Sequence, residues 1–295
     1  MRISPARYVQ VCRVALALLC TIVVSGAAVR LTGSGLGCSD WPRCNDERFI
    51  DVSSVHGAIE QVNRLFTGLV SVAVIIAVLG ALRRTPRRRD LVWLSWGLVA
   101  GVLGQIVLGG IVVLTDLNPV ANQGHFLVSM FLVADAVILL NAAKRDDDWH
   151  PVTTEPDARR SAWVLSVAAS CAIVTGTVVT GSGPHAGDEE AKRLPFAIET
   201  VARIHGVTVM ATLALLCLVL WRNRRLLRAG HPLVSAIETV LAIGVIQAAV
   251  GYTQYFSGIP AALVGVHIAL ATAFFGAVVH LHLVCTGRVQ SRESR

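Results

Sequence analysis

Apolar residues run along this chain in eight long stretches, at approximately 12–30, 56–82, 91–114, 122–143, 161–181, 199–221, 233–256 and 262–286. Each is close to or above the about 20 residues of helix that cross a bilayer core. Polar residues gather in the connections, which alternate in character. The N-terminus, 83–90, 144–160, 222–232 and the C-terminal tail carry 19 Lys and Arg residues, counting Arg13 with the N-terminus. The connections 31–55, 115–121, 182–198 and 257–261 carry 4. Basic loops are retained in the cytoplasm. The pattern therefore predicts an integral, multi-pass protein of the cell membrane with both termini cytoplasmic and the long loops 31–55 and 182–198 outside. The first stretch is followed by no strong cleavage signal beyond the small Ala27 and Ala28. Its length, and the agreement of the later loops, favour a span over a signal peptide.

Composition sharpens this. The chain has 295 residues, 54% hydrophobic and 15% charged. A soluble domain carries about a quarter charged residues, so an ordinary cytosolic enzyme, a disordered chain and a disulfide-rich secreted module are excluded. The net charge of +7 invites a nucleic-acid partner. The basic residues sit in short runs between apolar stretches, however, and no nucleic acid is expected.

The chain also repeats itself. Gln105-x-x-x-Gly109 recurs as Gln247-x-x-x-Gly251, and His125 recurs as His267, both at an offset of 142. Thr32-Gly33-Ser34-Gly35 recurs as Thr180-Gly181-Ser182-Gly183 at an offset of 148. An even number of spans per half makes the repeats parallel. The expected fold is all-α: eight transmembrane helices in two tandem, pseudo-symmetric four-helix bundles, 1–143 and 161–295, joined by a cytoplasmic linker at 144–160. The offset of 142 carries His205 onto Asn63, so the halves are not chemically equivalent.

Nine histidines are present. His150, His185 and His231 fall in loops, where a solvated ring is expected. His280 and His282 lie near the inner end of the last span and read as interfacial anchors. His56, His125, His205 and His267 lie near the outer ends of even-numbered spans. Ionisable side chains inside a membrane are costly and face the bundle interior. Four at one end, related by a repeat, point to ligation. Zinc wants about four close donors, whereas His205 and His267 stand on separate helices among small neighbours. That arrangement suits a flat macrocycle held on both axial faces, a bis-His haem. Arg64 and Arg203 are candidates to face its carboxylates; for Arg30 snorkelling to the interface is the simpler reading.

Span two places His56, Glu60 and Asn63 at i, i+4 and i+7, on one helix face. Glu60 is a candidate acid or base; a structural ion pair with Arg64 at i+4 competes with that role. Glu199 reads as interfacial, and Glu238 and Asp135 find no assignment. Cys12, Cys20, Cys171, Cys217 and Cys285 lie in spans and read as small apolar packers. Cys38 and Cys44 lie in an outer, oxidising loop, where a disulfide is expected and redox activity is open.

Taken together, the loop Thr32-Gly-Ser-Gly-x-Gly-Cys38-x-x-Trp41-Pro42-x-Cys44, the segment Glu60-x-x-Asn63-Arg64 and His125, His205 and His267 resemble the haem A synthase family over essentially the whole chain. The resemblance implies oxidation of the C8 methyl of haem O to a formyl group by successive hydroxylations. It implies a haem b cofactor on His205 and His267 in the second bundle. Substrate haem O would sit in the first bundle with His125 as an axial residue, and His56, Asn63 and Arg64 around it. Glu60 matches the family's catalytic carboxylate, and Cys38 and Cys44 its outer-loop pair. Haem O synthase and an electron acceptor are implied partners, and homo-oligomerisation is left open. Asn63 departs from the family, which carries His in many members. His56 lies two turns, about 10.5 Å along the helix, from Asn63, too far for a simple exchange of ligand. The rival readings are a bis-His membrane cytochrome b that modifies nothing, and a transporter built on parallel repeats.

Overall fold

The structure, a computed structural model, describes residues 2–150, 154, 156–223 and 232–289. Eight helices follow in order: α1 Pro5–Leu31, α2 Val55–Arg83, α3 Arg89–Leu114, α4 Pro119–Ala143, α5 Pro156–Ser182, α6 Ile198–Arg222, α7 Pro232–Phe256 and α8 Ala261–Cys285. All eight are long and apolar enough to cross a membrane, and this is a multi-pass membrane protein. Helices of 25–29 residues rise about 1.5 Å per residue and so exceed a hydrocarbon core of about 30 Å. The termini are set by local chemistry. Ser4, Ser54 and Asn118 accept main-chain N–H groups at the starts of α1, α2 and α4, and Pro5 and Pro119 occupy the first helical turn. Helix α5 begins at Pro156, earlier than the apolar run at 161 suggests, because its first turn, with Asp157, Arg159 and Arg160, is polar.

Helices α1–α4 pack in a ring, α1 on α2, α2 on α3, α3 on α4 and α4 on α1, and α5–α8 repeat the arrangement. The rings meet where α8 packs on α1 and α4, and α4 on α5. Each ring has its tight apolar core toward the end that holds the chain's N-terminus, called inner below. Tyr8, Cys12, Val74, Leu98, Ala136 and Leu139 build the first. Leu165, Leu216, Ile237, Val240 and Leu281 build the second. Val23, Met130 and Val133 fill the junction with Phe126, Ile173 and Phe275. Large apolar side chains such as Trp93, Leu103, Phe131, Val207 and Val245 point outward, as a lipid-facing surface requires.

Polar residues at the inner end tie elements together. The side chain of Arg84 is fully buried and pairs with Asp147 at 2.7 Å. Ile3 N–H donates to the Arg83 carbonyl, and Thr85 N–H to that of Ile3. His280 and His282 are not surface anchors. His280 Nδ1 meets Asn141 Oδ1 of α4 at 3.1 Å, and His282 Nδ1 meets Ser166 Oγ of α5 at 2.9 Å. Each is half-buried and joins α8 to a neighbour, its ring nitrogen finding a protein partner. His150 is exposed, as expected, and His231 lies outside the described residues. Among the cysteines read as packers, Cys12 and Cys285 are buried but Cys171 and Cys217 are exposed on the outer surface of their bundle.

Candidate functional site

The outer half of the second bundle holds the clearest arrangement. His205 is the eighth residue of α6 and His267 the seventh of α8. Their rings face each other with centroids 6.4 Å apart at 80°. Glycines on the other two helices make the space. A Cβ on Gly176 of α5 would stand 3.1 Å from His205 Cε1, and one on Gly251 of α7 would stand 2.9 Å from His267 Cε1. The contact at Gly251 is closer than a real Cβ makes, and the one at Gly176 is tight enough that the ring would have to give by a few tenths of an ångström, so both rings lie closest where a side chain is missing. Thr175 Oγ1 lies 3.1 Å from His205 Nδ1 and 3.0 Å from Thr208 Oγ1. Gln247 Nε2 donates to the His267 carbonyl at 3.0 Å, while His267 Nδ1 is buried without a hydrogen bond.

The first bundle repeats half of this. His125, the seventh residue of α4, has its carbonyl bonded by Gln105 Nε2 at 3.0 Å. Its Cε1 lies 3.6 Å from the place of a Cβ on Gly109, and its Nδ1 is also buried and unpartnered. The recurring Gln-x-x-x-Gly thus repeats one contact, the glutamine bonding the histidine's helix carbonyl in both halves, while the glycine one turn on is closely approached by the ring only at Gly251 and leaves ordinary contact distance at Gly109. Sequence reading found this repeat but gave it no role. The signal was there, in a small residue one turn from an amide on the span before a histidine.

Asn63 accepts a hydrogen bond from Ser25 Oγ of α1 at 2.8 Å, as His205 is bonded by a hydroxyl of α5. A cavity of about 420 Å³ opens between α1 and α2, lined by Ser25, Ala28, Ile59, Val62, Asn63 and Phe66. His56 is not at the level of the other three histidines. It is the second residue of α2, exposed, with Nδ1 2.9 Å from Ser34 Oγ.

Glu60 is 5% exposed and fully engaged. Its Oε1 accepts from Arg64 Nε at 3.0 Å and Nη2 at 2.6 Å, and its Oε2 accepts from Cys38 N–H at 2.8 Å. Arg64 also donates to the carbonyls of Arg43 and Asp40, and its guanidinium lies 5.1 Å from the centre of the Trp41 ring. The Trp41 ring in turn fits against Gly110 of α3. Cys38 and Cys44 form a disulfide that closes this loop. Glu60 and Arg64 therefore hold the first outer loop onto the bundle. Outside the spans, Ser53 N–H bonds Asp51 Oδ1 at 2.9 Å and, with Asn45 and Arg48, holds that carboxyl down at about 2.

Two basic residues fall elsewhere than expected. Arg30 does not snorkel. Its Nε donates to the His185 carbonyl at 2.6 Å and its Nη2 to the Thr180 carbonyl at 2.8 Å, so it ties α1 to the second half. His185, expected to be solvated, is half-buried there, with Nε2 2.8 Å from the Ile259 carbonyl. Arg203 is exposed on α6, as is Glu199.

Residues 10–186, more than half of the chain, match the COX15-CtaA family, described as cytochrome oxidase assembly protein. The chain belongs to this family. Among its relatives is a protein named Heme A synthase from Geobacillus thermodenitrificans, 30% identical over 122 residues, covering 40% of this chain and 38% of the relative. Others of that name come from Alkalihalophilus pseudofirmus, 28% identical over 151 residues and 51% of each chain, and Halalkalibacterium halodurans, 28% identical over 161 residues and 54% of each chain. The aligned stretches cover about half or less of these relatives' lengths.

Within a COX15-CtaA protein the paired rings can be tested against a haem. A metal about 2 Å from a ring nitrogen on either side leaves ring centres roughly 6 Å apart, and those of His205 and His267 are 6.4 Å apart. Among the described residues no three His, Cys, Asp or Glu side chains converge, so the donor set here is the two imidazoles alone. The residues of the second bundle fit the group.

Proposed function

We propose that this protein is a haem A synthase, oxidising the C8 methyl of haem O to a formyl group by two successive hydroxylations. The observation that carries this reading is the facing pair His205 and His267, seated over glycines, in a chain of the COX15-CtaA family. His205 and His267 would hold a haem b from two helices and fix its plane across the bundle. Bound there, haem b supplies one-electron redox chemistry. The close approach of α5 and α7 at Gly176 and Gly251 would set the position of the two rings.

His125 would orient substrate haem O in the first bundle with Asn63 of α2 beside it, while Arg64 is engaged with the outer loop and His56 stands apart in the first turn of α2. Taking a methyl to a formyl with the electrons leaving to an acceptor consumes one water, which supplies the formyl oxygen, and releases four electrons and four protons. Glu60 is the carboxylate placed to accept those protons. Its two oxygens are held by Arg64 and by Cys38 N–H, so a proton taken at Oε2 requires that loop contact to open. The electrons pass to an acceptor that is a separate partner. A haem O synthase in the same membrane is the natural donor of so apolar a substrate. The proposed setting is the cell membrane, with both termini in the cytoplasm.

The test is expression with a source of haem O, followed by chromatography of the extracted haems. Haem A together with haem b is the expected result. Haem b alone, at two per chain, would replace this reading with that of an electron-transfer cytochrome b.

A further inference from the structure

The two bundles differ in how many imidazoles they can seat, and this difference is readable in glycines. In the second bundle both seats are open: Gly176 beneath His205 and Gly251 beneath His267. In the first, Gly109 holds the sequence position of Gly251, with His125 Cε1 at an ordinary contact distance of 3.6 Å from the place of a Cβ. The fourth seat is missing. The offset of 148 that relates α1 to α5 carries Gly176 onto Ala28, and the offset of 142 carries His205 onto Asn63. Both changes fall at one place, since Ala28 and Asn63 line the same cavity between α1 and α2. Ala28 brings a methyl group to the position where, at Gly176, a Cβ would come within 3.1 Å of an imidazole, and the shorter amide of Asn63 is bonded to Ser25 Oγ at 2.8 Å.

The other candidate for that role is His56, and its position argues against it. It lies seven residues before Asn63, about 10.5 Å along the helix, in the first turn of α2. Its Nδ1 is bonded to Ser34 Oγ at 2.9 Å and the residue is exposed. It does not line the cavity with Asn63.

We infer that the first bundle binds its haem through one axial histidine, His125, and leaves the opposite axial face open to a small ligand, with Asn63 beside it. This rests on the reading of the first bundle as a haem O site, and it divides the labour between the halves. The second bundle saturates the iron and suits electron relay. The first leaves a coordination position with the amide of Asn63 beside it. The amide of Asn63 offers a donor as well as an acceptor, so it serves a small polar ligand without binding iron itself.

Carbon monoxide is the probe, because it binds ferrous haem only where an axial position is free. Full-length protein, expressed with a haem O source and purified in detergent, is reduced and titrated with carbon monoxide, and its haems are extracted and counted. About half of the bound haem, one per chain, is expected to shift its Soret band, and the rest to remain unchanged. Asn63→His combined with Ala28→Gly restores both ring and seat. It is expected to cut the responsive fraction at least tenfold while haem content stays the same. Two haems per chain that both ignore carbon monoxide in the unaltered protein would overturn the inference, and recovery of the response in His56→Ala would then identify His56 as the ligand. A single haem per chain that His125→Ala leaves in place would instead refute the haem site in the first bundle, and this inference with it.

Discussion

A Cβ on Gly251 would stand 2.9 Å from His267 Cε1, so a valine there must push the imidazole off its seat. Gly251→Val is therefore expected to lose haem b as completely as His267→Ala or His205→Ala, with the chain still inserted in the membrane. Gly206→Ala, next to His205 but facing open space, is the control and should keep a normal low-spin spectrum. Full haem b in Gly251→Val or in either alanine variant would remove the assignment. Glu60 poses a different question, since its contacts are those of a structural residue and the role proposed for it is a catalytic one. Gln at this position keeps an oxygen for Cys38 N–H but cannot exchange protons. If Glu60 moves protons, Glu60→Gln retains haem b and haem O and makes about 100-fold less haem A, the scale of a lost general acid or base. Wild-type haem A from this variant would end the catalytic reading. Loss of haem O binding or of the folded protein, with any residual turnover normal, would assign Glu60 to the Arg64 pair alone.

At the scale of elements, the first outer loop is the least regular part of the site and the most constrained. It is closed by Cys38–Cys44, held by Glu60 and Arg64, and wedged by Trp41 against α3. A disulfide closing so short a loop contributes about 2 kcal/mol, which converts to roughly thirty-fold in the population of the open form. Cys38→Ser with Cys44→Ser is expected to speed tryptic cleavage at Arg43 and Arg48 by at least tenfold, read by mass spectrometry of the cut loop. An unchanged rate would show that Arg64 alone holds it. The helices were legible in the sequence because each needs only an apolar run, a local property. The histidine positions were legible because the repeat marks them. What could not be read was long-range. Cys38 N–H reaches Glu60 across 22 positions, Arg30 reaches His185 across 155, and Asn141 reaches His280 across 139. No periodicity encodes these partners. The i, i+7 spacing of His56 and Asn63 gives a shared face together with about 10.5 Å of depth, and the structure accordingly has His56 in the first turn of α2, nearer the helix start than the seventh and eighth positions held by His125, His267 and His205.

For the whole molecule, the paired bundles put all the candidate chemistry toward one end and the tight apolar cores toward the other. The junction adds to this polarity, because Arg30 and His185 close the outer end across the two halves while Asn141 and His280 join α4 to α8 at the inner end. The orientation in the membrane then decides whether the site faces the cytoplasm or the outside. Two independent features favour outside. The basic residues crowd the inner connections, 83–90 being the densest, and such segments resist translocation. The Cys38–Cys44 disulfide lies in the loop beside the site, and disulfides persist where the compartment is oxidising. Alkaline phosphatase inserted after residue 46 or residue 189 is thus expected to be active, and inserted after residue 87 inactive. A fluorescent protein fused after Arg295 should mature and glow. The reverse pattern would place a disulfide in a reducing compartment and the basic loops outside, against both arguments at once, and would also move the proposed site of haem oxidation to the cytoplasmic half of the bilayer.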